Sequence, residues 1–220
     1  MIAIRNTFKQ RKKELNLFLK NLKIVEENKK FQADFCNILY SNALLMLYNI
    51  VESTVMGGIL EIYGAVNSQG FSYKTVSTEI QNIWFDFRFN EIYGKTANYK
   101  SYKDRAFKMV DDILSDKVIK LTRKAVHISG NLNAEKIRNI CNEHGIKFTT
   151  HNKSQGGCKI EDIRNLRNNL AHGEKSFVEC GRDFTFSDLE TMTNEVLLFL
   201  DGLLNGMTKY YNNKAWSCQK

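Results

Sequence analysis

The stretch Ile163–Phe177, with the sequence IRNLRNNLAHGEKSF, has the spacing of a short amphipathic helix. At about 100° per residue, three aliphatic side chains fall on one stripe: Ile163, Leu166 and Leu170. Gly173 closes the pattern, and glycine tolerates the left-handed conformation that ends many helices. The pattern predicts a helix from about Lys159 to Ala171 that packs by one apolar side.

The other side of this helix carries an arginine and a histidine separated by four residues. Arg167, Asn168 and His172 fall within about one half of the remaining circumference, with Asn168 and His172 one turn apart. An arginine, amides and a histidine are an unusual set for a solvated helix face. This stretch is therefore the first place to look for chemistry.

The chain has 220 residues, of which 43% are hydrophobic, and a net charge of +8. This length suits one large domain or two small ones with a sizeable core, and the positive charge is typical of proteins with a polyanionic partner. The five cysteines are an odd number without a CxxC pair, and the N-terminus lacks the apolar segment of a signal peptide. The most apolar run, Ala43–Val51, is too short to span a bilayer. We therefore expect a soluble, cytoplasmic protein without a membrane partner.

Helical spacing recurs along most of the chain, which contains no proline. Further helices are predicted at residues 5–30, with a basic outer face, at Phe31–Val66, at Thr75–Tyr93, from a capping box at Ser101 to about Leu121, at Ala134–His144 behind an Asn133 cap, and from a capping box at Ser187–Glu190 onward. A short strand is predicted at Ile146–Thr150, and a hairpin or ordered loop at Phe177–Phe186. The predicted fold is all-α: one helical bundle over residues 1–220, with an irregular insertion at about 127–158 before the helix of Arg167 and a mobile tail at 209–220.

Common catalytic and cofactor motifs do not occur in the sequence: there is no GxxxxGK[ST], GxGxxG, GxSxG or HExxH. Two cysteines and two histidines lie within eighteen positions: Cys141, His144, His151 and Cys158. Their spacing fits no common zinc pattern, and single cysteines and histidines are frequent structural residues. We therefore predict no metal and no cofactor.

An arginine with a histidine can support one reaction that needs neither a metal nor a cofactor. That reaction is the cleavage of RNA by its own 2′-hydroxyl. An imidazole can act as general base or general acid near neutral pH. A guanidinium can stabilise the charge that gathers on the pentacoordinate phosphorus through its forked donors. DNA lacks the 2′-hydroxyl and would be a poor substrate.

The stretch RNNLAHG, residues 167–173, resembles the motif of the HEPN superfamily, whose ribonucleases carry Arg-x(4–6)-His with a polar residue, often asparagine, after the arginine. The stretch LLMLYNIVES, residues 44–53, resembles the family's helix that places an acidic or polar residue opposite the motif. The segment 173–190, GEKSFVECGRDFTFSDLE, is similar to a prokaryotic branch associated with toxin–antitoxin and phage-defence loci. The resemblance implies a HEPN-like helical bundle.

For the site, the resemblance implies that Arg167 and His172 are the catalytic pair. Asn168 would orient the site or bind phosphate. Glu52, or alternatively Asn49, would hold the arginine or tune the histidine. The resemblance also implies RNA as substrate, a homodimer whose two motifs face one composite active site, and an antitoxin or defence-system partner. On an ideal helix the arginine and the histidine point about 140° apart, which suits a site shared between two protomers.

Three functions stay open, and basic residues outside the motif bear on them. The first is an endoribonuclease acting as a toxin or phage-defence effector, the second a non-catalytic HEPN homodimer that binds RNA, a nucleotide or a partner, and the third an adaptor whose charge serves solubility. The basic face of residues 5–30 is either solvated or follows phosphates. Candidate RNA contacts are Arg164, Lys12 and Lys13.

The motif itself has an alternative interpretation, in which Arg167 pairs with Glu52 and His172 only caps its helix. In some HEPN pairs, moreover, a partner enzyme modifies the effector near its motif. The candidate targets of such a modification are Tyr48, Tyr63 and Tyr73.

Overall fold

A computed structural model describes residues 1–28, 32–92, 99–126 and 130–218. These residues form eight α-helices and no β-strand, which confirms the predicted all-α fold. The helices are α1 (Ile2–Glu27), α2 (Ala33–Ser68), α3 (Thr78–Ile92), α4 (Tyr99–Leu114), α5 (Ala134–Glu143), α6 (Lys159–Ala171), α7 (Phe177–Arg182) and α8 (Phe186–Asn212). The predicted helix limits at Phe31 and Tyr93 lie outside the described residues.

Helix α2 is the centre of the fold, because α1, α6, α7 and α8 all pack against it. Three of its inward side chains, Leu47, Val51 and Ile59, are at most 1% exposed. One 18-residue window of this 36-residue helix has a mean hydropathy of 1.5, so by length and composition the helix could cross a membrane. However, 56% of that window is buried within the fold, and a helix surrounded by other helices needs the same composition.

Helix α8 forms the other half of the core and supports the segment that follows α5. Phe199 and Leu203 of α8 are fully buried. Residues 146–150 cross α8 where it carries glycine: a Cβ atom at Gly206 would lie only 2.6 Å from the carbonyl oxygen of Lys147. The predicted strand Ile146–Thr150 is wrong, because this segment packs on a helix and pairs with no strand in the described part of the chain.

Helix α4 ends at Leu114, earlier than the predicted limit near Leu121. Asp116 adopts a left-handed conformation with φ of 52°, which takes the chain out of the helix. The backbone N–H of Ile119 then donates to the carbonyl of Phe71 at 2.9 Å. The buried residues Ile119 and Leu121 therefore anchor an extended segment against the end of α2.

The structure differs from the prediction at the starts of α4 and α8 and in the segment between α6 and α8. Helix α4 already includes Ser101, so the box predicted there does not open it. The predicted hairpin or loop at Phe177–Phe186 is wrong, since a capping box of Ser176 and Glu179 opens the short helix α7. Helix α8 begins at a box of Thr185 and Asp188, two residues before the predicted one.

The predicted insertion at 127–158 contains α5 and a 3₁₀ segment, Asn152–Gly157, that packs against α8. The predicted Asn133 cap is confirmed: its side chain accepts a hydrogen bond from the backbone N–H of Lys136 at 2.8 Å. The segment brings the chain back to the start of α6.

The segment at 209–220, where a mobile tail was predicted, begins inside α8 and is held against the fold at Trp216 and Cys218. Trp216 is 1% exposed, and its ring lies against those of Tyr210 and Tyr211. Its carbonyl accepts a hydrogen bond from the backbone N–H of Ser77 at 2.7 Å. Aromatic burial and backbone pairing hold this segment against the start of α3.

Candidate functional site

Helix α6 has the predicted limits, and its end is fixed by backbone hydrogen bonds. His172 is the C-cap residue, and Gly173 has φ of 69°. The N–H of Gly173 donates to Leu170 at 3.3 Å, and that of Glu174 to Asn169 at 2.9 Å. This pair of bonds is the Schellman motif, which requires the left-handed glycine. The backbone therefore holds His172 at a defined place at the end of the helix.

The apolar stripe of α6 packs inward and determines which side its polar residues face. Ile160 and Ile163 are fully buried, and Leu166 is buried. Helix α6 packs through this side against α2 and α8. Arg167, one position after Leu166, is consequently placed beside α2.

Arg167 lies among three polar or aromatic neighbours and is about one third exposed. Its Nη2 atom is 3.9 Å from Oε1 of Glu52, and its guanidinium carbon is 5.7 Å from the centre of the Tyr48 ring. Its Nη1 atom donates a hydrogen bond to Asn168 at 3.1 Å, and the Asn168 amide in turn donates to Oδ1 of Asn131 at 2.7 Å. The guanidinium is therefore oriented by groups from two helices and the segment before α5.

Tyr48 ties this segment to α2. Its hydroxyl accepts a hydrogen bond from the backbone N–H of Leu132 at 2.8 Å, and the side chain is fully buried. Burial, followed by the nearby Glu52 carboxylate, raises the pKa of Tyr48 above its ordinary value. A Cβ atom at Gly130 would lie 3.1 Å from Nη2 of Arg167 and 3.2 Å from Oε1 of Glu52. The absence of a side chain at Gly130 therefore leaves space for the Arg167–Glu52 pair.

The contacts of Gly130 and Asn131 are features that the sequence prediction missed. The sequence predicts only that these residues lie in the irregular insertion at 127–158, and Ser129 lies outside the described residues. Asn131 is 37 positions before its partner Asn168. No local pattern signals that contact.

His172 contrasts with Arg167 because its side chain is exposed. The side chain of His172 forms no hydrogen bond or ion pair with any other residue that the structure describes, whereas its backbone N–H donates to the carbonyl of Asn168 at 2.9 Å. The alternative interpretation, an Arg167–Glu52 pair with His172 as a cap, describes the backbone role of the histidine correctly. The pair itself, however, lies well beyond the 2.7–2.9 Å of a charge-assisted hydrogen bond. The guanidinium is therefore oriented by its neighbours but is not held by a strong ion pair with Glu52.

Of the other predicted site residues, Asn49, Lys12 and Lys13 lie apart from the motif, whereas Arg164 lies one turn before Arg167 on α6 and near Tyr48. Asn49 is exposed and lines a cavity of about 550 Å³ between α1 and α2, where its carbonyl accepts a hydrogen bond from Arg11 at 3.2 Å. Arg164 pairs with Glu161 of its own helix. Lys13 is exposed on α1, and Lys12 is partly exposed. Of the two residues predicted to face the arginine, Glu52 does so.

The four residues considered as metal ligands have different environments in the structure. His144 is 2% exposed, with Nε2 at 2.8 Å from the hydroxyl of Tyr63 and Nδ1 at 2.7 Å from the carbonyl of Ile140. Burial lowers the pKa of His144 to about 4 and raises that of the Cys141 thiol to about 12. In the described part of the chain, no three His, Cys, Asp or Glu side chains group as metal ligands would.

The remaining two metal candidates and the tyrosines also have assigned places. His151 accepts a hydrogen bond from the backbone of Lys153, and Cys158 is exposed at the start of α6. His127 lies outside the described residues. Of the tyrosines considered as modification targets, Tyr48 and Tyr63 are at most 1% exposed, whereas Tyr73 is partly exposed. Burial makes the first two poor targets for a modifying enzyme.

A comparison with protein families matches residues 3–216 to the family model described as HEPN_MAE_28990-like HEPN. Comparison with curated proteins returns no significant match, and comparison with solved structures returns none either. The match covers every described helix from α1 to α8 except the first residue of α1. It therefore includes both Glu52 and the Arg167–His172 motif.

Proposed function

Because the chain belongs to the HEPN_MAE_28990-like HEPN family, we propose that it is a metal-independent endoribonuclease with Arg167 and His172 as its catalytic pair. Membership supports a role in nuclease chemistry or in the binding of RNA or nucleotides, and HEPN domains are commonly ribonucleases. The observation that carries the proposal is the asymmetry of the motif. An oriented guanidinium lies beside α2, and an exposed imidazole lies five residues later at the fixed end of α6.

The proposed reaction is a transesterification within the RNA. The 2′-oxygen loses its proton and attacks the adjacent phosphorus, and the bond from phosphorus to the 5′-oxygen breaks. The 5′-oxygen takes up a proton, leaving a 2′,3′-cyclic phosphate and a 5′-hydroxyl. His172 would take or deliver one of these protons. Arg167 would donate hydrogen bonds to the non-bridging oxygens as negative charge develops on them.

Two protomers would form the complete site. The reaction needs one group that accepts a proton and another that donates one, and each chain supplies a single motif histidine. The exposure of His172 at a helix end supports a partner motif or RNA as its missing neighbour. We therefore propose a homodimer with a composite active site.

In the cell, the proposed enzyme is a toxin or phage-defence effector restrained by a partner protein. An endoribonuclease without a cofactor requirement needs such restraint, because cellular RNA is always present. The net charge of +8 favours association with RNA and with an acidic inhibitor.

A second candidate is the non-catalytic homodimer that binds RNA, a nucleotide or a partner. One observation favours it. Catalytic histidines are usually oriented by a hydrogen-bonded neighbour, and the described residues offer none to the side chain of His172. Arg167 would then bind phosphate without a proton-transfer partner.

The decisive experiment is RNA cleavage by the purified protein in EDTA, with transfer RNA and unstructured oligonucleotides as substrates. We expect cleavage by the wild type, products ending in 2′,3′-cyclic phosphate, and loss of cleavage in both Arg167→Ala and His172→Ala. His151→Ala is the matched control, since His151 is also exposed but lies outside the motif. A silent wild type that still binds RNA would replace the enzyme with the binding module. Cleavage that survives His172→Ala would exclude the assigned pair.

A further inference from the structure

The polar face of α6 continues beyond the motif into a groove between α6, α7 and α8. This groove, the α6–α8 groove, has a volume of about 480 Å³, within the range of small-molecule sites. Its lining includes Asn165, Asn169, Lys175, Asp183 and Phe184. The whole lining contains two amides, two amines, three carboxylates and an aromatic ring.

The α6–α8 groove lies on the histidine side of the motif. Asn169 lies three residues before His172, and Asn165 lies seven residues before His172. All three therefore point into about the same sector of an ideal helix. Arg167 points to the opposite side, towards α2. A ligand in the groove would therefore bind on the histidine side of α6 and apart from the Arg167–Glu52 contact, although His172 itself does not line the groove.

The turn that positions the histidine also forms the rim of the groove. The carbonyl of Asn169 accepts hydrogen bonds from the backbone N–H groups of Glu174, at 2.9 Å, and Lys175, at 3.4 Å. Both Asn169 and Lys175 line the groove. The same turn therefore places both His172 and this rim of the groove.

Charge pairing leaves only some of the lining groups available to a ligand. Asp162 is paired with Lys159 at 3.1 Å, and Asp188 accepts hydrogen bonds from Thr185 at the start of α8. By contrast, the side chains of Asn169, Lys175 and Asp183 form no hydrogen bond or ion pair within the described part of the chain. One amide, one amine and one carboxylate of the lining are therefore free of hydrogen bonds to the described residues, with Lys175 near the Glu179 carboxylate.

We propose that the α6–α8 groove is a nucleotide subsite that binds the base next to the cleaved bond. This role rests on the proposed function. The exposed edge of a base offers donors and acceptors, which an Asn amide and an Asp carboxylate can match. The partly buried ring of Phe184 provides a surface for stacking. Lys175 would contact the phosphate that leads to His172. The enzyme would then cleave with a base preference set by Asn169 and Asp183.

The test uses the full chain and two sets of probes. The first set is short RNAs that differ in the base on either side of one cleavable bond, and the second is the same oligonucleotides with 2′-O-methyl groups, which cannot react. The variants are Asp183→Asn, which turns an acceptor pair into one acceptor and one donor, and Asn169→Ala. Asp111→Asn is the matched control, because Asp111 is an exposed aspartate on α4. Circular dichroism verifies that each variant is folded.

We expect the wild type to prefer one base at one side of the bond. Asp183→Asn should change this preference about tenfold, the size of one base-edge contact, and Asn169→Ala should weaken binding of the methylated probes similarly. Asp111→Asn should change neither. A preference and an affinity that both variants leave unchanged would overturn the subsite, as would a wild type without base preference. If the wild type cleaves nothing, the proposed function fails, and the methylated probes alone decide the subsite.

Discussion

Helices α5 and α6 end in the same way, yet the histidines that end them stand in opposite surroundings. His144 and His172 are both C-cap residues with nearly identical backbone angles, φ of −91° and −90°. A left-handed glycine follows each of them, Gly145 with φ of 71° and Gly173 with φ of 69°. Both ends form the Schellman hydrogen bonds. The local conformation therefore does not determine which histidine is available for chemistry.

The residue after the glycine explains the difference. After Gly145 comes Ile146, which is 1% exposed and pulls the end of α5 into the core. After Gly173 comes the exposed Glu174, which leaves the end of α6 at the surface. An apolar residue at this position of a Schellman motif packs back against its helix, whereas a charged residue does not.

In its buried position, His144 has a hydrogen-bond partner at each of its two ring nitrogens. The carbonyl of Ile140 can only accept, so Nδ1 carries the proton, and the neutral ring uses Nε2 to accept from the hydroxyl of Tyr63. The side chain of His172 has no such partner among the described residues. One histidine is a structural residue, and the other is open to a ligand.

The largest effect that would test this comparison is the loss of cleavage in His172→Ala. We expect the rate to fall about 100- to 10,000-fold, the range for removal of a general acid or base, while thermal stability stays unchanged. Initial rates and melting temperatures, measured on the same samples, check both parts. A variant that loses stability instead would mean that His172 has a structural role after all.

The next effect concerns stability and pH at His144. In the unfolded chain its pKa is near 6.5, whereas burial lowers the pKa to about 4 in the folded protein. The unfolded state therefore binds more protons between these values, so stability falls as the pH drops from 6.5 to 4, by about 3 kcal/mol. Urea unfolding across this window measures it.

His144→Gln serves as the control for this pH dependence, because glutamine keeps an amide for hydrogen bonding and does not titrate. We expect the variant to show a flatter dependence of unfolding free energy on pH than the wild type. Equal slopes in the two proteins would contradict the assignment of His144 as a buried neutral residue. His172→Ala, in contrast, should keep the wild-type slope.

Substitution of the two glycines gives a smaller effect that separates the two ends. Alanine in the left-handed conformation costs about 1–2 kcal/mol at either position. At Gly173 a Cβ atom would meet nothing within 4 Å, whereas at Gly145 it would lie 3.2 Å from the Glu79 carboxyl carbon. We expect Gly145→Ala to lower the unfolding free energy more than Gly173→Ala. Only Gly173→Ala should also reduce cleavage, because it shifts His172; the reverse pattern in either measurement would count against this account.

Helix α6 and its end could be predicted because every signal for them is local. The spacing of Ile163, Leu166 and Leu170 sets the buried side, and Gly173 sets the end. Membership of the HEPN family likewise followed from short stretches, since the motif and the segment around Glu52 carry the resemblance. The meeting of Glu52 and Arg167 was expected on that basis.

Contacts between distant residues could not be predicted in the same way. Tyr63 lies 81 positions from its partner His144, and Asn131 lies 37 positions from Asn168. Helix α7 was missed because it has six residues and a glycine, too few for a period to appear. Gly181 is needed there because α7 approaches the backbone of α2 at Asn37. Such close approaches depend on packing, which the pattern of one segment does not contain.

The smallest effect is expected from Glu52→Gln, on the arginine side of the motif. The two charged groups are 3.9 Å apart and about one third exposed, so the pair contributes less than about 1 kcal/mol to stability. We expect an unchanged melting temperature and a two- to fivefold slower cleavage, which corresponds to about 0.5–1 kcal/mol of lost orientation. Glu190→Gln, on the exposed side of α8, is the control.

A loss above about 100-fold in Glu52→Gln would be too large for orientation alone and would indicate that Glu52 transfers a proton. His172 would then not be the only acid–base group of the chain, and the contrast between an orienting side and a reacting side would fail. Faster cleavage would instead show that the carboxylate competes with the RNA phosphate for Arg167. The 3.9 Å contact favours the two- to fivefold effect over either extreme. A guanidinium without a strong ion pair can turn to the phosphate of the RNA without first breaking a strong bond.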